Sequence, residues 1–310
     1  MNSIEAIDQI IYIKKEKIAG KGEDSCCFDN VSRPGATMLS VFDGCGGAGA
    51  KKYVKLGNHS GAYIGSRVVC GIVFDWFRGL ADLNNESTWT MQIHDMIQEA
   101  FAQYRECDES RSVMRGSLAK EFPTTMSGSI ILNKNTGAEV NFLWAGDSRG
   151  FILDTNGLHQ MTQDDVNDAD ALNNLMNDGA MTNVISGSKD FEIHTNKCPL
   201  YPGSMVICAT DGCFGYLESP IHFEYMLLSY LIESNSHIDW KNKVTDYLAR
   251  VSGDDFTMLI AFYSFKDFNS IKATYYGRLR YIESNYITYW DNASEDERRI
   301  LWEKYRNELG

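Results

Sequence analysis

The sequence predicts a layered α+β fold rather than a doubly wound parallel sheet. Short apolar runs separated by the turn signals Asn135-Thr-Gly137 and Asp154-Thr-Asn-Gly157 are typical of an antiparallel meander. The clearest helical patterns stand together between two further strands instead of alternating with strands. Helices grouped apart from runs of antiparallel strands are characteristic of α+β proteins. The meander strands are predicted at 125–132, 139–145 and 150–154.

In chain order, isoleucines that partly alternate with polar residues over 7–13 predict a half-buried first strand. A second strand is predicted at 37–43, where the apolar run is nearly continuous, as in a fully buried strand. A helix is predicted at 48–77, although several glycines within it favour a break. Apolar residues recur at helical spacing over 89–107, which predicts an amphipathic helix.

Two later strands, at 204–210 and 256–262, enclose a pair of helices predicted at 220–232 and 239–251. The first of these helices begins with a Ser-Pro pair, which suits the N-cap and the first helical position. Because this pair of helices lies between strands that are far apart in the chain, it supports the layered arrangement.

Beyond residue 265 the pattern changes, and apolar residues recur at spacings of three and four. The run Ser294-Glu-Asp-Glu297 has the form of a capping box that would open a second helix. We therefore predict a main domain over 1–265 and a helical extension over 266–310 that could mediate self-association or partner binding. The alternative, that these helices merely cover the core of the main domain, stays open.

The charge and hydropathy of the chain limit the classes of partner that we expect for it. With 29 basic and 42 acidic side chains the net charge is −13, which would repel a polyanion, so nucleic acid is not an expected partner. No run approaches the roughly 20 apolar residues of a membrane span, and the first residues lack a signal-peptide pattern. We therefore expect a cytoplasmic protein with no membrane partner. The eight cysteines show no zinc-type spacing, which favours reduced thiols.

The most informative residues are two aspartates that each end an apolar strand and precede a glycine. Asp43 follows Met38-Leu-Ser-Val-Phe42, and Asp211 follows Met205-Val-Ile-Cys-Ala-Thr210. Glycine after the aspartate lets a carboxylate and a backbone carbonyl face a cleft without an obstructing side chain. Oxygen ligands without thiolate or imidazole suit Mg²⁺ or Mn²⁺. Further acidic residues at the boundaries of apolar segments extend this candidate ligand set: Glu23, Asp24, Asp147 and Asp254.

The run Gly44-Cys-Gly-Gly-Ala-Gly49 also fits the glycine fingerprint of dinucleotide-binding proteins. Two features disfavour that interpretation. Asp43 would set a negative charge against the pyrophosphate, and no clean second strand ends in an acidic residue roughly 20 residues further on, where the ribose partner belongs. We therefore favour a metal site over a nucleotide site.

Seven motifs follow one another in the order found in a known family. They are Glu23-Asp24, Val41-Phe-Asp-Gly-Cys-Gly-Gly47, Ser127-Gly-Ser129, Ala145-Gly-Asp-Ser-Arg-Gly150, Met161-Thr-Gln-Asp164, Ala209-Thr-Asp-Gly212 and Asp254-Asp-Phe-Thr257. Together they resemble the metal-dependent protein phosphatases of the phosphatase 2C type, in a bacterial-like form. The resemblance implies a four-layer sandwich of two antiparallel sheets flanked by helices, with metal ions at one end. It also implies that the polar segment 164–202 is a variable flap beside the site.

The resemblance implies a serine/threonine phosphatase that hydrolyses phosphomonoesters on proteins with a water activated by two Mn²⁺ or Mg²⁺ ions. A third ion would help after substrate binds. By position, the implied ligands are Asp43 and the Gly44 carbonyl between the two ions, Glu23 and Asp24 on one side and mostly through water, Asp211 and Asp254 on the other side, and Asp147 at the third ion.

The chain departs from the animal and plant pattern of this family at three positions. Cys45 stands where many members have the histidine proposed to protonate the leaving group; its thiol could donate that proton, although a metal-bound water is the simpler donor. Ala19 stands in place of an arginine, which leaves Lys17 or Lys21 as candidate phosphate-binding residues. Asp255 replaces an asparagine. These departures keep open an alternative function, a catalytically weak pseudophosphatase that acts as a phosphoprotein-binding scaffold.

Overall fold

The computed structural model describes residues 7–83, 85–107, 120–135, 137–167, 170–176 and 181–309. The strands are β1 (Ile7–Lys15), β2 (Ser25–Asp29), β3 (Ala36–Phe42), β4 (Lys52–Tyr53), β5 (His59–Ser60), β6 (Met126–Lys134), β7 (Gly137–Ala145), β8 (Arg149–Leu153), β9 (Leu158–Gln160), β10 (His194–Leu200), β11 (Ser204–Ala209) and β12 (Phe256–Tyr263). The α-helices are α1 (Gly61–Gly79), α2 (Trp89–Cys107), α3 (Ala171–Met176), α4 (Pro220–Glu233), α5 (His237–Val251), α6 (Phe268–Ile282), α7 (Thr288–Trp290) and α8 (Glu295–Leu309).

Two five-stranded sheets form the centre of the molecule. The strand order is β1-β12-β11-β8-β9 in the first sheet and β10-β7-β6-β3-β2 in the second, with all neighbours antiparallel. Apolar side chains such as Val41 and Phe142 from the second sheet pack against Val206 and Leu259 from the first. Helices α4, α5, α6 and α8 cover the outer face of the first sheet, and α1 and α2 cover that of the second. The predicted four-layer α+β sandwich with a C-terminal helical extension is confirmed.

The helix predicted at 48–77 is wrong in its first part. Residues 48–60 contain the short β4–β5 hairpin, and α1 begins only at Gly61. Gly57, with φ of 79°, and Asn58, with φ of 60°, adopt left-handed conformations that turn the chain within this hairpin. The Ser60 hydroxyl then accepts a hydrogen bond from the Tyr63 N–H at 3.1 Å and caps α1.

The predicted meander is wrong in its third strand. Strands β6 and β7 form a hairpin, but β8 pairs with β9 and β11 in the other sheet. The chain changes sheets at Gly146, whose φ of 94° is rarely adopted by residues with a side chain. Periodicity along the chain indicates where strands occur, but it does not contain the long-range pairing that assigns each strand to a sheet.

The C-terminal helices pack on the outer face of the first sheet. Tyr275 of α6 and Tyr286 of the following π-helical turn are buried in the same apolar core as the side chains of β11 and β12. The predicted capping box at the start of α8 is present, because the Ser294 N–H donates to Glu297 at 2.7 Å and the Glu297 N–H donates to Ser294 Oγ at 3.4 Å. The proposed domain boundary at 265 and self-association through these helices stay predictions.

The segment predicted as a flap lies partly outside the described residues. Its described parts contain α3 and β10, and β10 joins the edge of the second sheet next to β7. Among the described helices, none has both the length and the apolar character needed to cross a membrane.

Candidate metal centre

Five strand boundaries meet at one end of the sandwich. Strand β2 begins where β3 ends, and β11 ends where β8 and β12 begin. An acidic residue lies at each of these boundaries: Asp24 before β2, Asp43 after β3, Asp147 before β8, Asp211 after β11 and Asp254 before β12. Asp211 is at the centre of this group, because its charge raises the pKa of each of the other four. The structure therefore brings together five acidic residues that the sequence predicted as ligands.

Asp43 and Asp211 form the core of this acidic cluster. Burial, then the charges of Asp211 and Asp24, raises the pKa of Asp43 well above its usual value. Oδ1 of Asp211 is buried and has no hydrogen-bond partner among the described residues. This oxygen lacks a donor, and the carboxylates around it repel one another. A bound cation would stabilise both.

Asp24 is held in place by a hydroxyl group and by a lysine. Its side chain is buried, and Thr210 Oγ1 donates to its Oδ2 at 3.0 Å. Burial raises the pKa of Asp24 to about 7, while the hydrogen bond from the Thr210 hydroxyl acts in the opposite direction. Nζ of Lys14 donates to the backbone carbonyl of Asp24 at 2.9 Å. These contacts fix the position of the carboxylate at the edge of the cluster.

Asp147 lies on the connection that crosses between the sheets. Burial, followed by the charges of Asp211 and Asp164, raises the pKa of Asp147 to about 7, and Arg149 opposes this shift. The Arg149 guanidinium binds Asp164 through three hydrogen bonds, from Nε to Oδ1 at 2.9 Å and to Oδ2 at 3.2 Å, and from Nη2 to Oδ2 at 2.6 Å. Arg149 is therefore engaged in anchoring the crossing segment.

Glu23 is attached to the first turns of α1. Its carboxylate accepts a hydrogen bond from the Ser60 hydroxyl, and its backbone carbonyl accepts hydrogen bonds from Ser66 Oγ and from Arg67 Nη1, the latter at 3.2 Å. Nη2 of Arg67 donates to the Gly22 carbonyl at 2.9 Å. Burial is the main cause that raises the pKa of Glu23. Arg67 thus positions the Glu23 segment. Because the two residues are 44 positions apart in the chain, no local sequence pattern predicts this contact.

Asp255, the residue found in place of an asparagine, has a structural role. Its Oδ1 accepts the N–H of Lys17 and its Oδ2 accepts the N–H of Glu23, both at 2.7 Å. A carboxylate can receive these two bonds on two oxygens, whereas an amide has only one acceptor oxygen. Of the predicted phosphate-binding residues, Lys17 donates its Nζ to the Ser252 carbonyl at 2.6 Å, and Lys21 is exposed. The ammonium group of Lys17 is therefore already bound to a backbone carbonyl.

The glycines that follow Asp43 and Asp211 are required by close backbone contacts. A Cβ atom on Gly44 would lie 2.7 Å from the Ala62 carbonyl oxygen, and one on Gly212 would lie 1.9 Å from the Asp255 carbonyl oxygen. Any side chain at these positions would displace the backbone that carries a ligand.

Cys45 lies beside the acidic cluster, and Lys120 lies near Cys45. The Cys45 N–H donates to the Pro123 carbonyl at 3.1 Å, and the Lys120 N–H donates to the Ala48 carbonyl at 3.0 Å, so the segment before β6 runs along the loop after β3. Burial, then the charges of Asp43 and others, raises the pKa of Cys45 well above its usual value, and Lys120 opposes this shift. None of the sequence motifs includes Lys120, so the sequence did not predict that it lies near Cys45.

The residues at this end of the sandwich fit divalent ions that keep most of their water. Asp254 lies at the mouth of the cluster, where partial burial together with the charge of Asp211 raises its pKa. Among the described residues, no three Asp, Glu, His or Cys side chains are spaced to hold an ion by themselves. Mg²⁺ commonly binds through one or two carboxylates and several waters, and oxygen donors suit Mn²⁺ equally. The unpartnered Asp211 oxygen beside Asp43 provides such a pair of carboxylates.

Known proteins share the sequence pattern and the fold of this chain. The protein phosphatase 2C family model matches residues 22–251. The serine/threonine phosphatase PstP/Ppp of Mycobacterium tuberculosis superposes with a TM-score of 0.59 at 14% identity, covering 84% of this chain and 100% of that chain. Stp1 from Staphylococcus aureus superposes with a TM-score of 0.60 at 15% identity, covering 82% and 94%. The PstP catalytic domain in complex with two manganese ions superposes with a TM-score of 0.55 at 14% identity, covering 84% and 99%. No curated protein sequence matches the chain.

Proposed function

Because the chain belongs to the protein phosphatase 2C family, we propose that it is a metal-dependent serine/threonine protein phosphatase that hydrolyses phosphomonoesters on proteins. The observation that carries this proposal is the grouping of four acidic residues around Asp211, whose buried Oδ1 has no hydrogen-bond partner among the described residues. The manganese-bound PstP structure supports the choice of Mn²⁺ or Mg²⁺ as cofactor.

The proposed ligands are those that the family resemblance implies, and the grouping of their carboxylates at one end of the sandwich supports them. Bound ions would lower the pKa of a coordinated water and balance charge on the phosphoryl oxygens. The chain would hold these ions through side chains that it positions, because the Thr210 hydroxyl orients Asp24, Arg67 holds the Glu23 segment, and Asp147 lies on the crossing connection. As the family resemblance implies, Asp43 and the Gly44 carbonyl would serve two ions, Glu23 and Asp24 would hold one of them, Asp211 and Asp254 the other, and Asp147 a third. A metal-bound water remains the simpler donor of a proton to the leaving oxygen, and Cys45, directly after Gly44, is the side-chain alternative.

We expect chelator-treated protein to be inactive on a small aryl phosphate and to recover with Mn²⁺ or Mg²⁺ but not with Ca²⁺. The smaller ions favour the octahedral, water-rich coordination that these carboxylates allow, whereas Ca²⁺ takes more ligands at longer distances. The measurement is the initial rate across a titration of each ion. Hydrolysis that persists after complete chelation would contradict the proposal. Tight Mn²⁺ binding without any turnover would favour the pseudophosphatase scaffold instead.

Lys120 is the lysine that we expect to contact the phosphate of the substrate. Partial burial is the main cause that lowers its pKa, and among the described residues Cys45, not a carboxylate, acts in the opposite direction. This ammonium group is half-buried, lies near Cys45 and has no carboxylate partner in the described ranges, which suits a phosphate dianion. By contrast, the Lys17 ammonium group is already bound to a backbone carbonyl.

Lys120→Ala is expected to raise KM for a phosphopeptide about tenfold while changing kcat little, because the loss of one charge-assisted hydrogen bond removes binding energy common to substrate and transition state. Steady-state kinetics on a phosphoserine peptide gives both constants. Lys21→Ala is the matched control, since it removes an exposed lysine on the other side of the cluster. A larger effect of Lys21→Ala than of Lys120→Ala would assign the phosphate contact to Lys21.

A further inference from the structure

Two cysteines on neighbouring layers, Cys27 of β2 and Cys70 of α1, are in direct contact. Sγ of Cys27 lies 3.6 Å from the backbone carbonyl oxygen of Cys70, although 43 residues separate the two positions. The interaction between the two thiols raises the pKa of Cys27 well above its usual value and lowers that of Cys70. Neither residue belongs to the acidic cluster or to the motifs of the family.

The surroundings of Cys70 favour its thiolate. Besides the interaction with Cys27, which is the largest cause, a hydrogen bond with Ser25 and the charges of Lys14 and Arg67 lower its pKa. The thiolate is the form that attacks an oxidant, so Cys70 is the more reactive member of the pair. Cys26 differs in this respect, since burial raises its pKa to about 11.

The pair is accessible to small molecules. An open cavity of about 400 Å³ lies between β1, β2 and α1 and is lined by both thiols together with Tyr12, Cys26, Phe28 and Phe74. Both cysteines are only partly buried. A peroxide could therefore reach Cys70 without unfolding of the surrounding layers.

We propose that Cys27 and Cys70 form an intramolecular disulfide when the protein meets a peroxide. The Cys70 thiolate attacks one peroxide oxygen, the O–O bond breaks, and the products are a sulfenic acid on Cys70 and hydroxide, which takes up a proton to give water. The Cys27 sulfur then attacks the Cys70 sulfur, and the sulfenic oxygen leaves as a second water with the Cys27 proton. The two thiols together lose two electrons and the peroxide gains them.

The disulfide would fasten the segment that carries two of the proposed ligands. Strand β2 continues directly from Glu23 and Asp24, and α1 carries the Ser66 and Arg67 side chains that hold the Glu23 carbonyl. A covalent link from β2 to α1 therefore ties this segment to the helix that positions it. It also restricts the unfolded chain, which raises the unfolding temperature.

The test is oxidation of the reduced, full-length protein with hydrogen peroxide, followed by peptide mass mapping and thermal unfolding. We expect a Cys27–Cys70 linked peptide and a rise in Tm of about 5 °C that is reversed by a dithiol reductant. Cys27→Ser and Cys70→Ser should each abolish the linked peptide and the rise in Tm. The adjacent Cys26→Ser is the matched control and should retain both.

A Cys26–Cys70 link, a singly oxidised Cys70 without a crosslink, or an unchanged Tm of the oxidised wild-type protein would each overturn the proposal. The measurements on the wild-type protein test the proposal even if a serine variant fails to fold. Because neither readout involves turnover, this outcome is independent of the proposed phosphatase activity.

Discussion

Asp43→Asn is expected to lower kcat for a phosphoserine peptide by about 10³-fold or more, and Asp211→Asn to do the same, because both carboxylates are assigned to the ions that activate water and stabilise the transition state. The variants should remain folded. Since burial and neighbouring carboxylates raise the pKa of Asp43, its charge costs the folded state free energy as the pH rises above the ordinary carboxyl range. At neutral pH, the metal-free Asp43→Asn protein should therefore unfold at the same or a higher temperature than the wild type.

Asp296→Asn is the matched control, since it makes the same chemical change on the exposed face of α8. Calorimetric titration with Mn²⁺ separates loss of ion binding from loss of the chemical step. Turnover within tenfold of wild type in Asp43→Asn would show that Asp43 is not an essential ligand. A large fall in Tm of the metal-free variant would instead assign Asp43 a structural role.

Glu224→Gln is expected to destabilise the protein by about 3–5 kcal/mol, which is a fall in Tm of roughly 5–10 °C. Glu224 is fully buried on α4 and accepts hydrogen bonds from Arg278 of α6, at 2.8 Å from Nε and 3.1 Å from Nη2, and from the Tyr305 hydroxyl of α8. Glutamine keeps the shape but leaves the buried Arg278 charge without a counter-ion. The measurement is reversible unfolding by denaturant or heat.

Two comparisons make this result specific to the buried pair. Glu283→Gln removes the acidic partner of the exposed Arg280 and should change stability by less than about 0.5 kcal/mol. Replacing both partners, Glu224→Leu with Arg278→Met, should recover much of the loss, because no buried charge remains. An unchanged Tm in Glu224→Gln would mean that α6 and α8 unfold separately from the sheets, and it would favour an independent unit after residue 265.

Local features of the sequence predicted much of the fold. The helix over 89–107 was predicted with the same limits as α2, because its apolar residues recur at helical spacing and tertiary packing uses that face. The strands that end in Asp43 and Asp211 were predicted because a central strand, covered on both faces, appears as an apolar run. The edge strand β2 was missed, since its five residues are only partly buried and have no such run.

The sequence by itself determined which acidic residues end strands, because an apolar run followed by Asp-Gly is a local pattern. Only the tertiary structure decided which of them meet and what surrounds them. The crossing of β8 to the first sheet, the two backbone bonds of Asp255 and the position of Lys120 all join residues that are far apart in the chain. The raised pKa values of Asp24, Asp43 and Asp147 likewise arise from burial and from repulsion between carboxylates on different strands. Desolvation and charge repulsion depend on distance in space, so they exist only once the sheets have packed.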